Sequence, residues 1–239
     1  MKIIISPSKK QNRKCIINKD LVKPIFETKS TELRRILESF DSSQLSEVLD
    51  IDGNLLEKTQ KKYTGPNTSK AAICCYNGLV FKQLDVNEYT QKSINYMHEK
   101  LCILSAMYGV LTPLTTIEPY RLDMKVKFKD IDLYDYWQKE VDGFFKDEEL
   151  IINLASNEFS KMLQYDQYSG RFINIDFKEY KNNKLRTVAA RAKKARGLMV
   201  DVMVKKQINS LEEIKAIEVL EYVYDSQASS EDHLVYIRE

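Results

Sequence analysis

The chain has 239 residues, 43% of them hydrophobic, which is enough to bury a substantial core. Its 37 Lys and Arg against 35 Asp and Glu leave a net charge of +2, which excludes a partner selected by overall charge, so any anion-binding surface must come from local clustering. No run approaches the ~18 consecutive apolar residues of a membrane span, and the apolar stretch Ile3–Ile5 is too short and wrongly flanked for a signal peptide; a cytosolic protein with no membrane contact is expected.

In chain order, KIIIS at the N-terminus predicts a short buried strand closing into a Ser-Pro turn. Leu33, Ile36, Leu37 and Phe40 share one helical face over 31–40, and Leu45, Val48 and Leu49 do the same over 43–49. A hairpin at Asp50-Ile51-Asp52-Gly53 leads into a helix over 54–62. The apolar run 71–76 contains adjacent Cys74 and Cys75, which strand alternation would point to opposite faces. A helix over 87–100 precedes the apolar run LCILSAMYGVL, read as a strand opening into a loop. A helix over 133–145 with Asp132 as N-cap precedes a buried strand over 150–154, and Ser156 is placed to cap the next helix. Strands over 171–177 and 185–190, a helix over 192–206 and a strand over 234–237 complete the chain. Alternating strands and helices, without repeat or linker, predict an α/β fold: a single domain over residues 1–239 with one mixed β-sheet flanked by helices.

Four stretches could carry chemistry. The densest basic cluster is LRTVAARAKKARGLMVDVMVKK, where Arg186, Arg191, Lys193, Lys194, Arg196, Lys205 and Lys206 meet a single acid, Asp201. A helix starting near Ala192 would gather Lys193 and Arg196 at its N-terminus, where free N–H groups favour an anion; the plain alternative is a solvated charged face. The helix, hairpin, helix arrangement of residues 43–62 is similar to the helix-hairpin-helix element used for sequence-independent phosphate contact, with Lys58, Lys61 and Lys62 as its cations. Asp50 and Asp52 at its turn would repel phosphate, and an α-hairpin packed on the sheet is the competing reading. Tyr108, Tyr120 and Arg121 lie on a Gly- and Pro-punctuated loop after an apolar strand, where they could stack on a base or grip a phosphate. Asn153 and Glu158 could line the same pocket.

Cys15, Cys74, Cys75 and Cys102 lack metal or redox spacing and are expected as thiols, the adjacent pair as small core residues. His98 and His233 are isolated, so neither a metal site nor a Ser-His-Asp triad is indicated. Nothing matches a phosphate-binding loop or dinucleotide fingerprint, and no cofactor is expected.

The segments IISPSK, LSAMYGVLTPL with EPYRLDM, INLASNEF and AKKARGLM, in that order, resemble the signature segments of the YaaA family. The resemblance implies an α/β fold with a basic cleft and a helix-hairpin-helix element. It implies double-stranded or branched DNA as partner, and a role in hydrogen peroxide (oxidative) stress that includes lowering free iron. It points to Lys9 in the first loop, to Tyr108, Tyr120 and Arg121, and to Lys193, Lys194 and Arg196. The leading expectation is therefore a DNA-binding stress protein that contacts phosphates through Lys9, Lys58, Lys61, Lys62, Arg186, Arg191, Lys193, Lys194 and Arg196, with no obligate protein partner evident and no enzymatic reaction legible. The alternative is an enzyme acting on a nucleobase or nucleotide in a pocket of Tyr108, Tyr120, Arg121, Asn153 and Glu158. With no ligand-spaced His, Cys or acidic cluster, any effect on iron is expected to be indirect.

Overall fold

The computed structural model describes residues 1–15, 17–128, 131–182 and 184–239. Strand β1 (Lys2–Ile5) buries Ile3, Ile4 and Ile5 completely, as a central strand covered on both faces requires. Helices α1 (Glu27–Glu38), α2 (Ser42–Leu49) and α3 (Gly53–Thr64) come next. Asp41 caps α2 in a reciprocal box with Gln44. The α2–α3 connection turns through Asp50 in the left-handed region (φ 50°); Ile51 is buried while Asp50 and Asp52 face solvent. α2 packs on α3, and α3 on α1.

The run 71–76 departs from expectation. After the two-residue strand β2 (Lys70–Ala71) the chain enters one helical turn, α4 (Ala72–Cys75), which buries both Cys74 and Cys75 instead of sending them to opposite faces. So short an apolar run has no period that separates a buried helical turn from a strand; here Thr115 and Pro113 carbonyls accept from Ala72 and Ile73 and fix the turn. The expectation of four thiols is also corrected: Cys15 and Cys74 form a disulfide, and Cys75 and Cys102 are free and buried.

Helix α5 (Gln91–Lys100) leads into strand β3 (Leu101–Ser105), and Ala106–Tyr108 turn the chain back into β4 (Gly109–Leu111). The run read as one strand is thus a hairpin, with Gly109 at φ +69° at its corner. Short pairs β5 (Thr116–Ile117) with β2 and β6 (Lys127–Phe128) with β7 (Ile131–Asp132) pin the loop after it. Asp132 caps α6 (Leu133–Phe145) as expected, accepting from Tyr134 N–H at 2.9 Å. Strand β8 (Leu150–Asn153) and the single turn α7 (Asn157–Ser160) come next.

Strand β9 (Arg171–Lys181) runs longer than its apolar part and pairs with β10 (Lys184–Arg186). Ala189 and Ala190, expected in that strand, instead open helix α8 (Ala189–Lys206), so the helix begins a turn before Ala192. Two alanines favour that extension, alanine being the best helix former. A short helix α9 (Leu211–Lys215) and strands β11 (Val223–Ser230) and β12 (His233–Arg238) end the chain.

Among the described residues, one eight-stranded mixed sheet has the order β11-β12-β9-β8-β1-β3-β4, with β10 beside β9. The block β12-β9-β8-β1-β3 is parallel, and β4 and β11 close its two sides antiparallel. Taken in chain order, the parallel strands lie 2-1-3-4-5. The chain leaves β1 toward β3 on one side and β8 toward β9 on the other, so the loops after β1 and β8 diverge. Such a switch point leaves a crevice outside the carboxyl ends of the strands. No helix among the described residues is long and apolar enough to cross a membrane.

Candidate functional site

A cleft of about 550 Å³ lies at this switch point. Its walls come from the loop after β1 (Ser6, Ser8, Lys9, Lys10, Gln11), the stretch Asn77–Lys82, the loop Tyr120–Asp123, the turn after β8 (Ser156, Glu158), and Lys193 and Arg196 of α8. The four sequence segments that carry the family resemblance therefore converge here from positions as far apart as 6 and 196.

Close backbone approach builds the walls. A β-carbon on Gly78 would lie 2.6 Å from Ser8 Oγ, so the absent side chain lets the β1 loop rest on residues 77–78, where Asn77 N–H donates to Lys10 O at 2.7 Å. A β-carbon on Gly197 would lie 2.3 Å from the Val80 carbonyl oxygen, so glycine allows α8 to pack on the 3-10 turn Phe81–Gln83 and bring Lys193 and Arg196 into the same cleft lining as Lys82. The two loops of the switch point are tied by Ser6 Oγ, which accepts from Ser156 N–H at 2.8 Å. Ser156 stands at the N-cap position of α7 without making a side-chain cap; its hydroxyl lies 3.1 Å from that of Ser6.

Tyr120 is buried on the cleft floor, its hydroxyl within hydrogen-bond distance of Tyr76 (2.7 Å) and Ser105 (2.8 Å). Its N–H donates to Gln11 Oε1 and its carbonyl accepts from Lys62 Nζ at 3.0 Å. Burial, then the positive charge of Arg121, lowers the Lys62 pKa. Lys62 thus supports the floor from below. Arg121 is partly exposed in the wall, while its backbone is held at both ends by Tyr63 OH. Glu158 accepts from Met124 N–H at 3.2 Å, and Lys9 forms an ion pair with Asp123 at 2.6 Å.

Other expected residues lie elsewhere. Tyr108 is buried behind the floor, edge-on to Tyr120 with ring centroids 5.5 Å apart, and its hydroxyl meets Arg34 and Glu118. Asn153 closes the end of β8, donating to Asn174 and accepting from Ala155 N–H. Arg191 is paired with Glu179. Lys58, Lys61, Arg186 and Lys194 are exposed outside the cleft lining. Because α8 begins at Ala189, Lys193 and Arg196 sit beyond its free N–H groups, and the cleft brings them together rather than the helix end. Sequence reading passed over Ser6, Lys10, Gln11, Asn77 and Lys82; Gly78 and the adjacent Lys9-Lys10 were the signals available. No group of three His, Cys, Asp or Glu side chains able to hold a metal ion occurs among the described residues.

Burial pushes Tyr63, Tyr76, Tyr108 and Tyr120 above the ordinary tyrosine range, hydrogen bonds at Tyr120 pulling part of the way back. Free phenols ionise near pH ~10, so above that pH the unfolded state binds fewer protons than the native state, and stability falls as pH rises. Phenolate absorbance from these four tyrosines should therefore lag and then rise in one step with unfolding. Smooth ionisation of all 14 tyrosines in a still-folded protein would contradict the packing of this floor.

Comparison with known proteins matches residues 1–228 to the family described as peroxide stress protein YaaA. A UPF0246 protein of Rickettsia rickettsii (strain Iowa) is 36% identical over 247 aligned positions, covering 100% of both chains. A UPF0246 protein of Fusobacterium nucleatum is 34% identical over 247 positions, covering 100% of this chain and 99% of the relative. With the family match spanning nearly the whole chain and relatives aligned end to end, this chain belongs to the peroxide stress protein YaaA family.

Proposed function

We propose that this chain is a cytosolic DNA-binding protein of the peroxide response that holds nucleic-acid phosphates in the switch-point cleft. The observation that carries the reading is the charge of the lining: Lys9, Lys10, Lys82, Arg121, Lys193 and Arg196 against Asp123 and Glu158, in a chain otherwise almost balanced. Lys9 and Arg196 have acidic neighbours, Asp123 at 2.6 Å and Asp176 at 4.0 Å. Lys10, Lys82, Arg121 and Lys193 make no ion pair among the described residues and are the ones available to a phosphate. Lys58, Lys61, Lys194 and Arg186 would extend the contact beyond the cleft. Restraint of iron-driven damage would result from occupying DNA, not from holding iron.

Salt titration tests this. Log affinity for duplex DNA should fall with log salt by ~0.9 for each phosphate neutralised. Lys10→Ala/Lys82→Ala/Lys193→Ala should bind more weakly, with a slope shallower by about 0.9 per lysine that met a phosphate. These three are preferred to Arg196, whose side chain is only 18% exposed. An unchanged slope would place the phosphates elsewhere, and no binding of duplex, single-stranded or junction DNA at low salt would end the proposal.

One observation favours a second reading, an enzyme acting on a nucleobase or nucleotide. The floor is apolar (Tyr120, Leu122, Leu154, Phe159), carries carboxylates on its rim, and has a volume within the ~300–1,000 Å³ common for small-molecule sites. A mononucleotide that competes with DNA for the cleft would support it.

A further inference from the structure

The four cysteines are not equivalent. Cys15 is half-buried on the chain leading away from the β1 loop, whereas Cys74, Cys75 and Cys102 are buried. Cys15 and Cys74 are bonded across 59 residues of sequence, with a Cα–Cα distance of 5.2 Å, inside the ~4.4–6.8 Å usual for a disulfide. Burial pushes the free Cys75 thiol up to about 11 and Cys102 to about 12, so neither supplies thiolate at neutral pH.

The position of the bond matters because of the segment that precedes it. From Ser6 to Gln11 the loop forms one wall of the cleft; it then runs along α4 and residues 77–84. Arg13 N–H donates to Cys75 O, its guanidinium donates to the Ile73 and Leu84 carbonyls, and Asn77 N–H donates to Lys10 O. All of these are non-covalent contacts, two of them charge-assisted bonds from the Arg13 guanidinium. Among the described residues, the covalent fastening of this segment is Cys15–Cys74.

We infer that Cys15 and Cys74 are a reversible thiol–disulfide pair, oxidised by hydrogen peroxide, whose bond fastens the Lys9–Lys10 wall of the cleft. In the first step the Cys15 thiolate attacks one peroxide oxygen: an S–O bond forms, the O–O bond breaks to give Cys15 sulfenic acid, and the departing hydroxide takes up the proton that the Cys15 thiol released, leaving as water. The Cys74 sulfur then attacks the Cys15 sulfur: an S–S bond forms, the S–O bond breaks, and the departing hydroxide takes the Cys74 proton as a second water. Sulfur is oxidised and peroxide oxygen reduced, two thiols consuming one peroxide. Return to the dithiol needs two equivalents of a small thiol of the glutathione class, by exchange through a mixed disulfide at the more accessible Cys15. This chemistry does not depend on which ligand the cleft takes, so it stands or falls separately from DNA binding.

The test uses the full chain, reduced, freed of reductant and treated with stoichiometric hydrogen peroxide. Thiols are then counted by maleimide labelling under denaturing conditions and intact mass. Wild type should pass from four labelled thiols to two, with Cys75 and Cys102 retaining label, and excess glutathione should restore four. Cys74→Ser should stop at a dimedone-reactive sulfenic acid on Cys15. Cys15→Ser, altered at the half-exposed end where folding is least at risk, should keep all its remaining thiols. Amide hydrogen exchange over residues 8–15 should slow on oxidation of wild type but not of Cys15→Ser. The inference is overturned by thiols that survive peroxide, by a disulfide that survives glutathione, or by exchange that ignores the oxidation state.

Discussion

Trp137→Ala should cost about 3–5 kcal/mol of stability, toward the upper end of what large-to-small core substitutions remove. Trp137 is fully buried on α6, against Phe26 and Tyr136, and its indole N–H donates to Ala106 O at 2.8 Å. Truncation opens a cavity and also leaves a buried carbonyl without its donor, which adds roughly 1–3 kcal/mol if the turn cannot move. The ring further defines the β3–β4 corner, since a β-carbon on Gly109 would lie 2.8 Å from it. That corner carries Tyr108, whose ring meets Tyr120 on the cleft floor. Trp137→Phe separates the contributions, keeping most of the volume while losing the N–H. Because Trp137 is the sole tryptophan, urea unfolding of the variants should be followed by circular dichroism. A loss under ~1 kcal/mol for the alanine variant would mean that the corner is held by other contacts.

Elements with a long, regular pattern or a capping residue were legible in the sequence. β1 and β8 were read from unbroken apolar runs, and α6 from its period together with Asp132. α4 was not legible, because a single apolar turn has no measurable period. Neither was β11, whose YDSQASS run shows no buried face and is a strand because β12 pairs with it. The site divided along the same line. Lys9, Arg121, Lys193 and Arg196 were reachable because they sit in recognisable segments. Asn77 lies in irregular chain and Lys82 in a single 3-10 turn, brought into the cleft by two glycines whose role is visible only once the opposing backbone is known. Cations adjacent in sequence were also assigned different work by the fold. Arg191 pairs with Glu179, Lys205 with Asp201 and Asp85, and Lys193 faces the cleft. Tyr108 and Asn153 were plausible pocket residues by type, but burial at the core side of the floor and at a strand end commits their polar atoms to backbone and neighbouring side chains.

Two helical glycines should respond to alanine with opposite sign. In an open helix interior, Gly→Ala gains roughly 0.5–1 kcal/mol from the lower entropy of the unfolded chain. Gly143 on α6 has nothing within 4 Å of where a β-carbon would stand and no positive φ, so Gly143→Ala should be stabilising by about that amount. Gly197 on α8 has the Val80 carbonyl oxygen 2.3 Å from the same point and Gln83 atoms at 2.9 Å. A side chain could swing away, but a backbone carbonyl cannot without moving its segment, so overpacking of about 1–3 kcal/mol or more should exceed the propensity gain. Gly197→Ala should therefore be destabilised in urea unfolding, and Gln83→Ala should not rescue it because the nearer obstacle is backbone. The same displacement moves Lys193 and Arg196 away from Lys82 in the cleft lining, so the variant should also lose anion affinity while Gly143→Ala keeps it. Equal stabilisation by both alanines would show that α8 can lift off the Phe81–Gln83 turn at no cost, and the close crossing that assembles this wall would not be what holds it.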